Sequence, residues 1–317
     1  VEGLFLCYNL ITDAGAVNLA RLFTDTDGYT CTVKALNLQG NDVGVAGCQA
    51  LMSALRESRN TTLSYLNLNG NPIGKDGGLA VAELLQANTT LATLNLGNCE
   101  LETGAMVALC TVLQTNTTVS DLSLANPRLF SRMEDTMYHI ARMLRCNTGL
   151  VRLDLSKNRI GDFGAQLLGE YLADNSTLLA LDVSCNSIAS VGGEALAALL
   201  LRGSPLEDVN LQGNRICDDG AEAFGLALRR CASLRSLDVR NNSIGDRGLL
   251  ALGTAFDDNI TLAVLRVWGN EWGTDSRDAF AGVVDSKAPA SGLQVDVRPY
   301  IVDGRVSVAE QDVNLVV

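Results

Sequence analysis

One pattern, with apolar residues five and three positions before an asparagine, recurs along the whole chain. The slots that the asparagine occupies are Asn9, Asn41, Asn71, Cys99, Pro127, Asn158, Asn186, Asn214, Asn242 and Asn270, so cysteine and proline replace it once each. Consecutive slots lie 28 to 32 residues apart. A spacing kept through ten units is the signature of a repeat architecture, in which one local structure forms again and again.

Each unit is predicted to hold one strand and one helix. In the segment 150–177, Leu153 and Leu155 have the alternating spacing of a short strand, and Ala165, Leu168 and Leu172 have the spacing of one helix face. Burying the apolar side chains of one unit yields roughly 10–20 kcal/mol. Ordering its backbone costs about 30–50 kcal/mol, at about 1–2 kcal/mol per residue. A single unit therefore cannot fold, and the units must stack on one another.

The pattern L-x-x-L-x-L-x-x-N/C takes the form LSYLNLNGN at 63–71, LVRLDLSKN at 150–158 and LRSLDVRNN at 234–242. It resembles the leucine-rich repeat family, and the long helical half resembles its ribonuclease-inhibitor-type subclass. The resemblance implies an α/β solenoid, a horseshoe of about ten repeats with a parallel sheet on the concave face and helices on the convex face. We expect the solenoid over residues 1–272, with an irregular repeat at 119–149, and a capping helix and β-hairpin tail over 273–317.

Composition narrows the classes of partner. The chain has 317 residues, 47% of them hydrophobic, but no run of eighteen apolar residues, so no membrane partner is expected. A net charge of −12 argues against direct nucleic-acid binding. Nine cysteines, an odd number without C-x-x-C spacing, favour a reducing compartment over a disulfide framework or a zinc site. Because Val1 already stands in register within a repeat, we expect the true N terminus to lie further upstream.

The sequence offers little for catalysis. Its one histidine, His139, has no nucleophile placed beside it by a recognisable motif. The segment GNPIGKDG at 70–77 has one residue too few between its glycines for a phosphate-binding loop. We therefore predict a protein that is not an enzyme, with no cofactor, no metal and no small-molecule substrate.

The concave face is the predicted binding surface. Asp154, Asp182 and Asp238 belong to a row of polar residues there, which we interpret as a hydrogen-bonded ladder and a wet surface rather than a catalytic acid pair. Exposed aromatic and arginine side chains are common interface anchors. The protein-binding candidates on this face are accordingly Tyr65, Asp154, Asp182, Asp238, Arg240, Arg266 and Trp268. The alternative, that each of these side chains merely solvates the sheet, stays open.

Two segments depart from the repeat. In repeat five, Pro127 replaces the slot asparagine, which predicts an irregular seam and an outward bulge with Arg128, Phe130, Arg132 and Met133 as protein-binding candidates. The bulge is either a tolerated insertion or a docking device. In the tail, 299–310 is a predicted hairpin that turns at Asp303-Gly304 and carries the candidates Tyr300, Asp303 and Arg305. An exposed ribbon of this kind can add to a partner's sheet.

The segments NPRLFSRMEDTMYHIARML, VWGNEW and VRPYIVDGRVSVAE together resemble the leucine-rich-repeat-containing protein 34 family. This resemblance implies a non-enzymatic protein of germ-line and ciliated cells, cytoplasmic and placed in the axoneme of the cilium or flagellum near radial spokes, or else in the nucleolus. We predict a scaffold or adaptor whose partners are axonemal proteins. The alternatives are a nucleolar or assembly-factor adaptor, an enzyme inhibitor similar to the ribonuclease inhibitor, and the sensor portion of an innate-immune receptor.

Overall fold

The computed structural model describes residues 2–24, 31–58, 60–129, 133–256, 258–287 and 292–313. The chain divides into two compact units, Val1–Asn158 and Arg159–Val317. In both units, strands that are mostly three residues long alternate with helices of 8 to 14 residues. This alternation confirms the predicted α/β repeat fold.

The first unit contains six strands and five helices among its described residues. They are β1 Gly3–Phe5, α1 Asp13–Ala20, β2 Ala35–Asn37, α2 Val45–Glu57, β3 Tyr65–Asn67, α3 Gly74–Leu85, β4 Thr93–Asn95, α4 Thr103–Leu113, β5 Asp121–Ser123, α5 Met133–Cys146 and β6 Arg152–Asp154. Neighbouring strands pair in parallel and in chain order from β1 to β6, with no shift of register.

The second unit continues the alternation and ends in a hairpin. Its elements are α6 Asp162–Tyr171, β7 Ala180–Asp182, α7 Ser190–Leu201, β8 Asp208–Asn210, α8 Cys217–Leu228, β9 Ser236–Asp238, α9 Asp246–Ala255, β10 Val264–Arg266, α10 Thr274–Gly282, β11 Gln294–Val295, β12 Val297–Val302 and β13 Arg305–Glu310. Strands β7 to β11 pair in parallel in chain order, whereas β12 and β13 form a separate antiparallel pair.

The core of each unit is aliphatic. The middle residue of a strand points towards the helices, as in Leu36, Leu66 and Leu94, each at most 1% exposed. The apolar residues two positions after the slots are buried as well, namely Val43, Ile73, Leu101, Leu129, Ile160, Ile188, Ile216 and Ile244. Leucine and isoleucine fill these repeated positions because equivalent side chains of stacked repeats occupy equivalent space.

The slot asparagines join successive repeats. Asn71 is fully buried, and its Nδ2 donates to the carbonyl oxygens of Leu38 (2.8 Å) and Leu68 (2.9 Å) while its Oδ1 accepts from the amide of Val43 (3.0 Å). The same bonds recur at Asn41, Asn214, Asn242 and Asn270. Backbone groups that stacking buries are thereby satisfied.

The irregular seam predicted at Pro127 does not extend to the sheet. Strand β5 pairs with β4 and β6 in the regular register, Thr93 with Asp121 and Asp121 with Arg152. Pro127 follows β5 by four residues. Its missing N–H therefore removes no bond of the strand ladder.

A second set of asparagines stands where the helices end. Asn147 donates from Nδ2 to the carbonyl oxygens of Leu113 (2.6 Å) and Asn116 (2.9 Å), and its Oδ1 accepts from the amides of Gly149 and Leu150. Asn116 and Asn259 form the same bonds: each Nδ2 donates to carbonyl oxygens of the preceding repeat, and each Oδ1 accepts from the amide two residues further along the chain. These asparagines therefore end one helix and also satisfy the last carbonyls of the previous one.

Aspartates bridge the opposite ends of the helices. Asp13 of α1 accepts from the amides of Gly44 (2.7 Å) and Gly47 (2.9 Å), which begin α2. A Cβ on Gly47 would lie 2.7 Å from Asp13 Oδ1 and 2.8 Å from Ala16 Cβ. The recurring glycine is thus needed because the helix of the preceding repeat approaches so closely. Asp162, Asp218 and Asp246 likewise accept from backbone amides at the start of the helix in the next repeat, α7, α9 and α10 respectively.

The tail covers the last repeat. Phe280 of α10 is fully buried and meets the indole of Trp272 edge to face, with ring centroids 5.0 Å apart. Leu293, Val295 and Val297 are each at most 5% exposed. A solenoid needs its terminal apolar surface covered, and this segment provides that cover.

Candidate functional site

The outward side chains of the sheet form a regular grid. In a strand of three residues, the first and third side chains share one face and the second points the other way. In the second unit the first positions are Ala180, Asp208, Ser236, Val264 and Gln294, and the third positions are Asp182, Asn210, Asp238 and Arg266. Asp296 follows β11 at the place that corresponds to Arg266.

We name the outward side chains of Asp182, Asp208, Asp238, Arg240, Arg266, Trp268 and Asp296 the acidic sheet face. Asp182 accepts from the Asn210 side chain at 2.8 Å and from the amide of Ser184 at 2.8 Å. Asp238 likewise accepts from the amide of Arg240 at 3.1 Å. Each of these two aspartates therefore accepts a hydrogen bond from the backbone amide two residues further along the chain. This bond fixes the orientation of its carboxylate before any partner binds.

Arg240 is the best-held cation of this face. Its Nε lies 3.0 Å from both carboxylate oxygens of Asp238, and its Nη2 lies 2.6 Å from Oδ2. Nη2 also donates to Gln212 Oε1 at 3.2 Å. The hydrogen-bonded Asp238 carboxylate raises the pKa of Arg240, and the carboxylates of Asp296 and Glu310 raise it further. The guanidinium therefore bonds within its own chain, where it neutralises the buried Asp238 carboxylate.

Asp208 is a carboxylate of this face whose pKa is raised. Partial desolvation at the sheet surface raises its pKa above the ordinary value, and the carboxylates of Asp182 and Asp238 add to the rise. A hydrogen bond from Ser236 and the charge of Arg266 act in the opposite direction without cancelling it. Asp208 itself is exposed. A cation brought from outside would relieve this accumulation of negative charge.

Asp296 ends the sheet. Its two carboxylate oxygens accept from the amides of Val267 (2.8 Å) and Trp268 (3.1 Å). Burial raises the pKa of Asp296, and the two backbone hydrogen bonds oppose that rise. The carbonyl of the same residue accepts from the amide of Gln311 at 2.9 Å. Asp296 therefore fixes Trp268 on one side and the end of the hairpin on the other.

The sheet face of the first unit is amide-rich. Asn67 donates to Gln39 Oε1 (3.3 Å) and to the hydroxyl oxygen of Tyr65 (3.4 Å), and its own Oδ1 accepts from the amide of Asn69 (2.9 Å). In β6, Asp154 accepts from the Ser123 hydroxyl at 2.7 Å. The polar ladder predicted for these rows is therefore present within each unit.

A family model described as Leucine Rich repeat matches seven segments, 30–52, 59–82, 87–110, 146–169, 174–197, 204–225 and 230–253. Together these segments make up about half of the chain. The chain belongs to the leucine-rich repeat family. Proteins built from these repeats are generally interaction scaffolds without enzymatic activity, which suggests that this leucine-rich repeat protein binds other proteins.

No curated protein sequence matches this leucine-rich repeat chain. Among solved structures, internalin C2 from Listeria monocytogenes str. 4b F2365 is similar at 20% identity and a TM-score of 0.42, over 68% of this chain and 72% of that one. Leiomodin-1 Actin-Binding Site 2 is similar at 16% identity and a TM-score of 0.32, over 68% of this chain and 90% of that one.

The leucine-rich repeat fold brings only some of the predicted residues together. Asp182, Asp238, Arg240, Arg266 and Trp268 all lie on the sheet face of the second unit. Tyr65 on β3 and Asp154 on β6 belong to the first unit. In the tail, Tyr300 is 47% exposed on β12, Asp303 lies in the turn and Arg305 begins β13.

The repeat-five candidates are described only in part. Arg128 is exposed and forms an ion pair with Glu100 at 3.0 Å. Phe130 and Arg132 lie outside the described residues. Met133 begins α5, and its side chain also lies outside what the structure describes.

Sequence reasoning did not select Asp208 as a binding candidate and missed Asp296 as the end of the sheet. The signal for Asp296 was present, because Gln294-Val295-Asp296 repeats the order polar, apolar, acidic of Ser236-Leu237-Asp238. Across the described residues, no group of three or more His, Cys, Asp or Glu side chains is arranged to hold a metal ion, and no helix is long and apolar enough to span a membrane.

Proposed function

We propose that this protein is a non-enzymatic scaffold that binds a basic segment of a partner protein on its acidic sheet face. The observation that carries the proposal is Asp208, an exposed carboxylate near the carboxylates of Asp182 and Asp238, which backbone amides hold in place. On the two neighbouring strands, the outward side chains of Ala180 and Ser236 beside Asp208 are small, which leaves room for a partner's lysine or arginine. Charge complementarity of this kind favours selective and rapid association.

The proposal is tested by crosslinking from two positions in cells. A photoreactive amino acid replaces Val264, in the outward row of β10, and in a matched control it replaces Leu226, which is 50% exposed on α8. We expect a crosslinked partner protein from position 264 and none from position 226. A charge reversal, Asp208→Lys, should reduce the crosslinked yield at position 264 roughly tenfold, because repulsion then replaces attraction. Equal crosslinking from both positions would overturn the assignment of the face.

We further propose that the partners are axonemal and that the protein is a structural or adaptor subunit of the ciliary or flagellar axoneme. The resemblance of the repeat-five and tail segments to the leucine-rich-repeat-containing protein 34 family supports this placement. The test is extraction of tagged full-length protein from detergent-treated axonemes with rising salt. Retention until high salt is the expected result. Release with the soluble or nuclear fraction would replace the axonemal placement with an assembly-factor or nucleolar one.

A further inference from the structure

The hairpin of β12 and β13 is the longest pair of strands among the described residues. Each strand has six residues, against two or three in the parallel sheets. Asp303 and Gly304 form the turn with φ values of +50° and +73°, the two positive values of a type I′ turn. The pairing runs from Val302 opposite Arg305 to Val297 opposite Glu310.

The turn decides which backbone groups point out of the hairpin. In a two-residue hairpin, the residues that flank the turn exchange both hydrogen bonds, and every second pair does the same. Val302 with Arg305 and Tyr300 with Ser307 are therefore bonded pairs. The intervening residues of β13 direct their N–H and C=O groups away from β12. Within the described part of the chain, Val306 and Val308 form no backbone bond beyond the hairpin.

The two outer edges of this hairpin differ. On β12, Pro299 stands at an outward position, where its missing N–H removes a donor from that edge. Proline is one of the devices by which edge strands avoid pairing with another chain. Strand β13, Arg305–Glu310, contains neither proline nor lysine, and none of its six residues is buried. The edge of β12 is blocked by proline, whereas the edge of β13 carries no such device, although β13 also packs near α10 and its central residues are half-buried.

The alternation of side chains along β13 indicates which kind of strand could pair with its outer edge. Val306 and Val308 lie on one face, where Ile301 of β12 is 76% exposed beside them. Arg305, Ser307 and Ala309 lie on the other face. A strand beside β13 would therefore present apolar side chains to the valine face and polar ones to the other, with an acidic residue near Arg305.

We propose that β13 accepts an extended segment of a partner protein as a third, antiparallel strand. The partner segment alternates apolar and polar residues and carries an acidic residue opposite or diagonal to Arg305. Its backbone bonds to the outward groups of Val306, Val308 and Glu310. The base of the hairpin is anchored by buried Val297 and by the bond from Gln311 to Asp296, whereas Ile301 near its turn is 76% exposed, so a third strand would add most order near the turn. This inference rests on the proposed protein-binding function and adds a second contact to it.

The test uses the full chain and synthetic peptides. Three acetylated ten-residue peptides are compared, in which valine alternates with glutamate, with threonine or with lysine. Binding is followed by NMR through the backbone amide signals of isotope-labelled protein. We expect the glutamate peptide to bind and to shift the amide signals of Val306 and Val308 more than that of Ser307, because the amide of Ser307 already bonds to β12. The lysine peptide should bind at least about fivefold more weakly because of its repulsion from Arg305.

Two substitutions at one position separate backbone from side chain. Val308→Pro removes an outward N–H without removing a bond of the hairpin, and should weaken binding of the glutamate peptide roughly tenfold. Val308→Thr keeps the N–H and should bind within about twofold of the original protein, because threonine also suits a strand. Ser307→Pro removes a bond to Tyr300 and should lose the hairpin signals altogether.

Three outcomes would overturn the proposal. They are equal binding by the proline and threonine variants at position 308, binding by no peptide, and concentration-dependent pairing of the protein with itself in place of peptide binding. None of these outcomes bears on the acidic sheet face. Crosslinking from position 264 should persist in the Val308→Pro protein, so the proposed function and this inference can fail separately.

Discussion

An aspartate near the start of a helix caps the helix of the next repeat. Asp218 lies in the first turn of α8, and its Oδ1 accepts from the amides of Gly245 (2.7 Å) and Gly248 (3.0 Å) at the start of α9. The residue before α9 is Gly245, which has no side chain to cap its own helix. A carboxylate from the neighbouring repeat thus satisfies amides that the local sequence leaves unpaired.

Replacing Asp218 with alanine should lower the free energy of unfolding by about 1–2 kcal/mol, the usual effect of losing a helix cap. Urea unfolding followed by tryptophan fluorescence measures the change. The control is Asp219→Ala, the adjacent exposed aspartate in an ion pair with Arg247. That variant should change stability by less than about 0.5 kcal/mol. A loss as large at Asp219 would show that the capping account of Asp218 is wrong.

Two aspartates should respond to pH with opposite signs. The pKa of Asp208 is raised in the folded protein, so the folded state binds more protons than the unfolded state between the ordinary carboxyl pKa and the raised one. Stability therefore falls as pH rises through that window. Asp208→Asn should abolish this fall in urea midpoints measured from about pH 3 to 6. An unchanged pH profile would contradict the raised pKa.

Asp246 provides the opposite case. Hydrogen bonds from the Ser276 hydroxyl and then the Ser276 amide lower the pKa of Asp246. Its contribution is present above the ordinary carboxyl pKa and is lost as pH falls through the lowered folded value. In the same urea series, Asp246→Asn should therefore reduce the loss of stability on acidification. A variant that acidified like the original protein would argue against this hydrogen-bonded carboxylate.

Among the elements, the turns after the strands depend on their asparagines. Asn242 is fully buried, accepts from the amide of Ile216 (3.3 Å) and donates to the carbonyl oxygens of Leu211 (2.9 Å) and Arg240 (3.0 Å). These groups belong to two successive repeats. The asparagine therefore holds a turn and a seam at once.

We expect Asn242→Ala to lower the free energy of unfolding by roughly 2–4 kcal/mol, because it leaves buried backbone groups of two repeats unsatisfied. Differential scanning calorimetry and urea unfolding both report this loss. Asn18→Ala, at an exposed position on α1, is the matched control and should stay within about 0.5 kcal/mol. If the two variants were equally stable, the asparagine ladder would not contribute to folding.

For the whole molecule, stacking determines which thiols can react. Burial raises the pKa of Cys48, Cys99 and Cys110 to about 12 each, so their thiolates are scarce near neutral pH. Cys146 and Cys185 are exposed. Alkylation of the native protein with iodoacetamide at about pH 8 should modify these two first and spare the three buried thiols until denaturant is added. Peptide mass spectrometry decides the order, and rapid native alkylation of Cys110 would contradict it.

The repeat period, the order of strand and helix, the aliphatic core and the slot asparagines were all predictable from the sequence. They follow from local spacing, because a side chain three or four residues along a helix, or two along a strand, must share its face. The partner of Asp218, the accumulation of charge around Asp208 and the role of Asp296 were not. Each depends on which residue of another repeat lies beside it, over separations of about thirty residues. For the hairpin, the turn at Asp303-Gly304 was predictable and sets which backbone groups of β13 point outward, but the burial of Val297 and the exposure of Ile301 on one face depend on packing that only the tertiary structure decides.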